Sequence, residues 1–587
     1  MSAARRHGPR AARRLARRQR DRRKRLGVAI VAIGLVALAL GLLVHVSRTL
    51  LAALPPIRRP VAQSLDLHPG CNPGELVSFD SWTLARVERT PITAPRKQLW
   101  EATQGGPEPL RAALRSRLRG WPRRMLVEPA SLPRGARAFA RRLAADTWRG
   151  LDALTDRTSG LPLDTIVLRA GADGVASAEF IGDYTNVTNI GLYLVALVGA
   201  MEIGLLDPAA TLARLTQVLD TLEQLETDRG FFFNYYDTTS LERTSHFVSF
   251  VDSAWLTAGL MVTRMTFPEL AARSTALIEA GDFGEMYDPG AGLMSHGYFV
   301  EPRARSRYHY GVLYTEARLG ALVAIGKGDV PEQMWFNMVR TFPSECGWQS
   351  RRPVDVRTRE IRGHRVTAGV YAWGGLRYVP SWGGSLFEAL MPTLLLDEQL
   401  AAPRSLGRNG LVHAVGQRRY ARRTLAVPVW GLSPSSRPDS ASYGEFGVKP
   451  LGSYGYPAGP VTPHASALAL SVTPRAALAN LHTLATRYPA YGDYGLYDAV
   501  DPVSGAVATK YLALDQAMLF LALANHLSAG AIQRRFAADP IMQRVLPLIA
   551  AEDFFSRAPA AAGSAVPSAV PVPAVPTPSE ARAAAAR

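Results

Sequence analysis

Trp382-Gly383-Gly384-Ser385-Leu386-Phe387-Glu388-Ala389-Leu390-Met391-Pro392 is the stretch on which the reading of this chain turns. Leu386, Phe387, Leu390 and Met391 recur at helical spacing, which predicts a helix starting near Ser385 with one buried face. The Gly-Gly turn before it lets the backbone approach something closely. Glu388 then falls in the first turn, on or beside the buried face. Burying a carboxylate is costly unless it has a partner or a task. Taken alone, Glu388 fits a salt-bridged structural role as well as a catalytic one.

Outward from that stretch, 587 residues with 47% hydrophobic content can build one large core or several ordinary domains. The formal charge of +18 invites a nucleic-acid reading, but its distribution argues against one. Twelve basic residues within 1–25, against Asp21 alone, carry +11 and leave +7 for the rest. That basic tail runs into an uncharged apolar stretch from Leu26 to Val46, the length of a membrane-spanning helix. Basic residues before a span keep the N-terminus cytoplasmic and place the remainder of the chain outside. The expectation is an uncleaved single-pass anchor in the cytoplasmic membrane. Cys71 and Cys346 are the only cysteines; they could form one bridge in an oxidising compartment. Neither has metal-ligand spacing, and the eleven His form no HxxxH pair, so no metal and no cofactor are expected.

Residues 47–135 read as a proline-punctuated stalk and lead-in, with 111–119 a basic, solvated helical face. From 136 the pattern turns helical. Helices are expected at 139–151, 185–206, 208–226, 252–265, 268–280, 312–326, 331–340, 385–400, 407–423, 463–486, 511–528, 530–537 and 540–552. Strand signals are few, near 293–300 and 361–372. About twelve paired helices suit an all-α (α/α)6 barrel, six inner and six outer, with functional loops gathered at one rim. The segment 557–587 is rich in Ala and Pro and reads as linker-like.

Four loop-to-helix segments carry carboxylates among aromatics: Asp252 in Ser249–Trp255, Glu316 in Tyr314–Arg318, Glu388, and Asp498 in Tyr494–Ala499. Asp252 also fits a helix N-cap. Glu316, flanked by apolar residues, points into a lined cavity or pairs with Arg318. Carboxylates beside Trp and Tyr suit glycoside chemistry. One acid protonates the leaving oxygen, and a second attacks the anomeric carbon or activates water. Flat rings for sugar faces are offered by Trp255, Tyr314, Trp335, Trp373, Trp382 and Trp430.

Several segments together resemble the glucoamylase-like domain of cyclic β-1,2-glucan synthases and bacterial endo-β-1,2-glucanases. They are Thr188–Leu194, Gly230 with Phe233–Asp237, Val248–Ser253, Thr315–Arg318, Ala324–Pro331, Trp382–Pro392, Trp430–Ser433, Tyr494–Ala499 and Ala522 onward to Phe536. The resemblance runs in order over about residues 145–553. It implies a barrel acting on β-1,2-glucan, with Glu316 as general acid. It further implies Asp498 as base in hydrolytic relatives and Glu388 as nucleophile in transglycosylating ones, with Asp252 as a substrate-binding carboxylate. The matching segments add Asn189, Tyr236, Arg318 and Tyr497 to the substrate-binding set of Trp255, Tyr314, Trp382 and Trp430. The segment Leu514-Asp515-Gln516 departs from the His-His-Gln usual in the synthases.

The organisation expected is therefore a basic cytoplasmic tail (1–25), a transmembrane helix (26–46), a lead-in (47–135), a glucoamylase-like domain (136–556) and a tail (557–587). The function expected is a membrane-anchored glycosidase or transglycosylase whose partner is an oligo- or polysaccharide, not nucleic acid. The alternative is a non-catalytic glycan-binding or assembly subunit of a polysaccharide export system.

Overall fold

The computed structural model describes residues 107–119, 122–170, 175–440 and 442–556. The expected basic tail, the membrane span, most of the lead-in and the C-terminal tail lie outside the described residues. Among the described residues no helix is long and apolar enough to cross a membrane.

Six helices carry the architecture: α1 (Val187–Glu202), α2 (Phe250–Thr266), α3 (Ala317–Lys327), α4 (Leu386–Leu390), α5 (Pro463–Leu468) and α6 (Ala513–Leu527). Helix α1 packs on α2, α2 on α3, α4 on α5, α5 on α6, and α6 returns to α1. The step from α3 to α4 is made by Arg318, which donates to the carbonyls of Glu388 and Ala389 at 2.9 and 2.7 Å. These helices are apolar on nearly every side: all residues of α1 from Val187 to Ala200 are buried. A helix without a polar face belongs in the interior. Helices α1 and α2 come closest at two glycines. A Cβ on Gly191 would lie 2.5 Å from the Trp255 carbonyl, and one on Gly259 2.4 Å from that of Gly191.

More amphipathic helices pack behind them. Ala136–Ala153 lies on α6, Pro268–Glu279 on α2, Leu406–Tyr420 on α4, Pro474–Arg487 on α5 and Pro540–Ala550 on α3. The expected helix 385–400 is broken, because Pro392 cannot continue it: α4 gives way to a 3₁₀ turn at Met391–Leu394 and a short helix at Glu398–Ala401. The expected 463–486 helix is likewise split by Pro474 into α5, a 3₁₀ turn and Pro474–Arg487.

The chain is mostly helical rather than all-helical. A three-stranded antiparallel sheet joins Thr165–Ala170 to Ala176–Gly182 and Lys510–Leu512. A second runs Pro353–Ile361, His364–Trp373, Leu376–Tyr378, and its middle strand covers the strand signal near 361–372. The 111–119 face is not simply solvated. Arg111 bridges Asp183 and Asp237 at 3.0 and 2.8 Å, so this helix docks on the domain.

Candidate active site

The N-terminal turn of each of the six helices carries a polar or titratable side chain. Asn189 starts α1, Asp252 α2, Glu316 α3, Glu388 α4, His464 α5 and Asp515 α6. The starts of α1, α2, α4 and α5 are capped by side chains. Asn186 caps α1 through Thr188 N at 2.6 Å, and Ser249 caps α2 through Asp252 N at 3.3 Å. Asp252 is therefore not the cap. Its Oδ1 accepts from the Thr188 hydroxyl at 2.6 Å, tying α2 to α1, and burial raises its pKa.

The stretch Trp382–Pro392 forms a capping box. Ser385 Oγ accepts from Glu388 N, and Glu388 Oε2 accepts from Ser385 N at 3.0 Å. Glu388 also takes the Ser381 and Ser385 hydroxyls at 3.0 and 2.8 Å, and Gly383 N reaches its Oε1 at 2.9 Å. Its partners are hydroxyls and backbone, not the cation of a salt bridge, and burial raises its pKa against these donors. What approaches the Gly-Gly turn is protein. Gly384 has φ +81°, and a Cβ there would lie 2.2 Å from the Val448 carbonyl. On Gly383 a Cβ would meet the Tyr456 ring at 2.0 Å.

A cavity of about 190 Å³ opens beside α3 and α4, walled by Glu316, Glu388, Glu445, Tyr310, Tyr456 and Phe387 among others. Glu316 caps nothing, and its Oε2 has no hydrogen-bond partner. Burial, then the charge of Glu388, pushes its pKa up to about 7. At neutral pH a large share of Glu316 is thus a carboxylic acid facing a cavity. It does not pair with Arg318. That guanidinium, fully buried, holds Glu398 at 2.7 and 3.0 Å and three backbone carbonyls. Every donor of Arg318 is committed, so it braces the fold and is no sugar-binding group.

Asp498 is 1% exposed. Its Oδ2 accepts from Ser436 N at 2.7 Å, and its Oδ1 has no partner. Ser436 belongs to the hairpin Ser435–Ser436/Tyr443–Gly444, flanked by Pro434 and Glu445 of the cavity wall. Ligand atoms of His464, Asp498 and Asp515 lie within 4.8 Å of one another, the group among the described residues that could hold a metal ion. No spacing in the sequence brings these three together.

Most of the expected sugar platforms are core. Trp255, Tyr236, Tyr314, Trp335, Trp430 and Tyr497 are all buried. Tyr236 and Tyr497 spend their hydroxyls on the carbonyls of Glu226 and Met125 at 2.6 and 2.8 Å, and Trp335 its Nε1 on Glu552 at 2.9 Å. Asn189 is buried and donates to Asp164 at 3.1 Å. Trp382 stacks on half-exposed Tyr454, with centroids 5.2 Å apart, and touches Trp348 at 5.5 Å. Trp348 lies two residues after Cys346, which is disulfide-bonded; Cys71 is the only other cysteine in the chain. The sequence reading misses the cavity walls Tyr310, Glu445 and Tyr456. A clue exists for the last, in the Tyr- and Gly-rich run Gly452–Gly459.

Residues 363–540 match a family model described as "Putative glucoamylase". Over 290 residues the chain is 31% identical to the cyclic β-(1,2)-glucan synthase NdvB of Rhizobium meliloti (strain 1021), a match covering 47% of this chain. Residues 363–540 are thus similar to a glucoamylase-like family. The chain spans 9% of the length of that synthase. The glucoamylase-like fold is shared with an endo-β-1,2-glucanase from Chitinophaga pinensis, solved with sophorotriose and glucose: TM-score 0.55, 18% identity, 72% of this chain and 99% of that one. A β-1,2-glucanase from Parabacteroides distasonis aligns with TM-score 0.56, 15% identity, 72% of this chain and 61% of that one.

Proposed function

We propose that this chain is a glycoside hydrolase of β-1,2-linked glucan, an (α/α)6 barrel in which α1 to α6 form the inner ring. The observation that carries the reading is Glu316. It is an acid with its pKa near 7, an unpartnered oxygen and a cavity before it, as protonating a glycosidic oxygen requires. The similarity to a β-1,2-glucan synthase and to β-1,2-glucanases supports the linkage. Glu316 gives its proton to the leaving oxygen. Asp498, with Oδ1 unengaged, takes the proton of the water that attacks the anomeric carbon. Glu388, held by hydroxyl and backbone donors, stands beside Glu316, and its charge raises the Glu316 pKa.

The placement outside the cytoplasm, anchored by residues 26–46, belongs to the same proposal. It is supported by the basic tail before the apolar stretch and by the disulfide at Cys346, a bond that persists in oxidising compartments. A second reading, transfer through a glycosyl-Glu388, is favoured by Glu388 and Glu316 lining one cavity.

The experiment is incubation with linear and cyclic β-1,2-glucans, with products followed by NMR. Inverted hydrolysis products support Asp498 and water; retained or transferred products support Glu388. Oligosaccharide binding with no product over long incubation would overturn both in favour of a glycan-binding subunit.

A further inference from the structure

Exposed apolar side chains such as Leu400 and Val503 are ordinary at a protein surface. Tyr454 differs from them, because its ring ends a ladder of rings. It is 49% exposed and lies flat on Trp382, which is 7% exposed, with centroids 5.2 Å apart and planes at 10°. Trp382 meets Trp348 at 5.5 Å, and Trp348 meets buried Phe342 edge-on at 4.9 Å. The ladder thus runs outward from Phe342 to Tyr454. Trp382 covers one face of the Tyr454 ring, so the exposed half includes the other face.

Backbone bonds fix the outer ring in place. Ser453 N donates to the Ser381 carbonyl at 2.7 Å, Tyr454 N to that of Trp382 at 3.0 Å, and Tyr456 N to that of Gly383 at 2.8 Å. Residues 453–456 are therefore laced along 381–383, the segment that leads into α4 and donates Gly383 N to Glu388 at 2.9 Å. Cys346, which is disulfide-bonded, packs with Trp382, Phe342 and Val312 in one small apolar cluster. A ring held this way loses little conformational entropy when a ligand settles on it. The ledge is also continuous with the cavity. Val312 and Tyr456 both pack in the Trp382 cluster and wall the cavity before Glu316. Tyr454 and Tyr456 are two residues apart, so their Cα atoms lie within about 7.6 Å.

We propose that Tyr454, backed by Trp382, is an outer sugar subsite: a glucan chain lying in the cavity leaves it past Tyr456 and stacks a sugar ring on Tyr454. A tyrosine offers a flat apolar face with a hydroxyl at its edge, which suits a sugar ring with C–H groups on its face and hydroxyls around its rim. The subsite rests on the glucan reading above and adds a dependence on chain length to it. A sugar short enough to stay inside the cavity does not touch Tyr454, and a longer one does. The stack lies away from the bond that breaks, so it is made equally before and during the reaction. Such binding lowers KM and leaves kcat almost as it was.

The test is steady-state hydrolysis, by the full chain, of linear β-1,2-glucans graded in length. In Tyr454→Ala the KM on long glucan rises about tenfold, the effect of one lost stacking contact, and the rise shrinks as the substrate shortens. Tyr454→Trp keeps a flat ring and holds KM close to the wild-type value; Tyr454→Leu is apolar without a flat face and raises it. No rise on long glucan, or the same rise at every length, overturns the subsite. Should Tyr454→Ala fail to fold, the comparison of Tyr454→Leu with Tyr454→Trp decides in its place. Binding gives a readout free of turnover. Calorimetric titration of long linear β-1,2-glucan into Glu316→Gln is expected to show a Kd that Tyr454→Ala, added to that variant, weakens about tenfold. An equal Kd overturns the subsite. A wild type that neither binds nor cleaves β-1,2-glucan sinks the substrate proposal and the subsite together, whereas an active wild type whose Tyr454→Ala variant shows no length dependence sinks the subsite alone.

Discussion

Glu316 and Glu398 both stand close to the start of α3, yet they live in opposite surroundings. Glu398 receives two hydrogen bonds from Arg318, at 2.7 and 3.0 Å. Glu316 faces the cavity, has an oxygen without a partner, and its most influential neighbouring charge is another carboxylate, Glu388. The shell behind the rim pairs its buried charges. Asp539 takes two bonds of 2.7 Å from Arg264, and Arg340 and Glu552 are joined in the same way. The rim leaves carboxylates without cations at Glu316, Glu388, Asp498 and Asp515. Buried charge is stabilised only by partners, so the shell is built for rigidity and the rim stores protonation energy that chemistry can use.

That contrast can be broken at several points. The largest effect is expected at Glu316. Glu316→Gln should lower kcat/KM on the true glycan about 10²–10⁴-fold with an unchanged circular dichroism spectrum. Full activity in that variant would remove Glu316 from the mechanism. Across the same helix start, Arg318→Met should leave Glu398 buried and unpaired and cost about 3–5 kcal/mol of stability in denaturant unfolding. Equal stability would mean that the shell is not what holds the rim.

The pH profile sharpens the comparison. Glu316 must be protonated to act, so activity should fall as pH rises through about 7. Glu388→Gln removes a charge that raises the Glu316 pKa, so this basic limb should move to lower pH. A limb that stays in place would show the two carboxylates to be uncoupled. The smallest effects are local. Ser385→Ala removes the α4 cap and one hydroxyl from Glu388, with an expected loss of about 1 kcal/mol in thermal unfolding. Tyr456→Phe removes a cavity hydroxyl that donates to Glu445 at 3.3 Å and should raise KM a few-fold while leaving kcat nearly unchanged.

Much of the helical framework was legible because apolar periodicity and caps are local. Ser385, three residues before Glu388, marks the start of α4. Pro392 and Pro474 are visible as residues, but apolar periodicity continues across both and hides the interruptions they cause. The aromatic rings misled, since a Trp or Tyr beside a carboxylate looks the same in sequence whether it lines a cavity or fills a core. Trp255 and Tyr314 fill the core, while Tyr310 and Tyr456 wall the cavity.

By itself the sequence determined which segments coil, where they begin, and that carboxylates stand at those beginnings. Periodicity, capping and proline act over a few residues, and any reader of the chain can trace them. Only the tertiary structure decided which of those carboxylates has a cation. The partner of Arg318 is 80 residues away at Glu398, and the groups beside Asp498 are 34 and 17 residues away at His464 and Asp515. Charge and proton affinity depend on neighbours in space. Glu388 is a carboxylate in a helix start when read along the chain, and folding surrounds it with donors and sets it against Glu316.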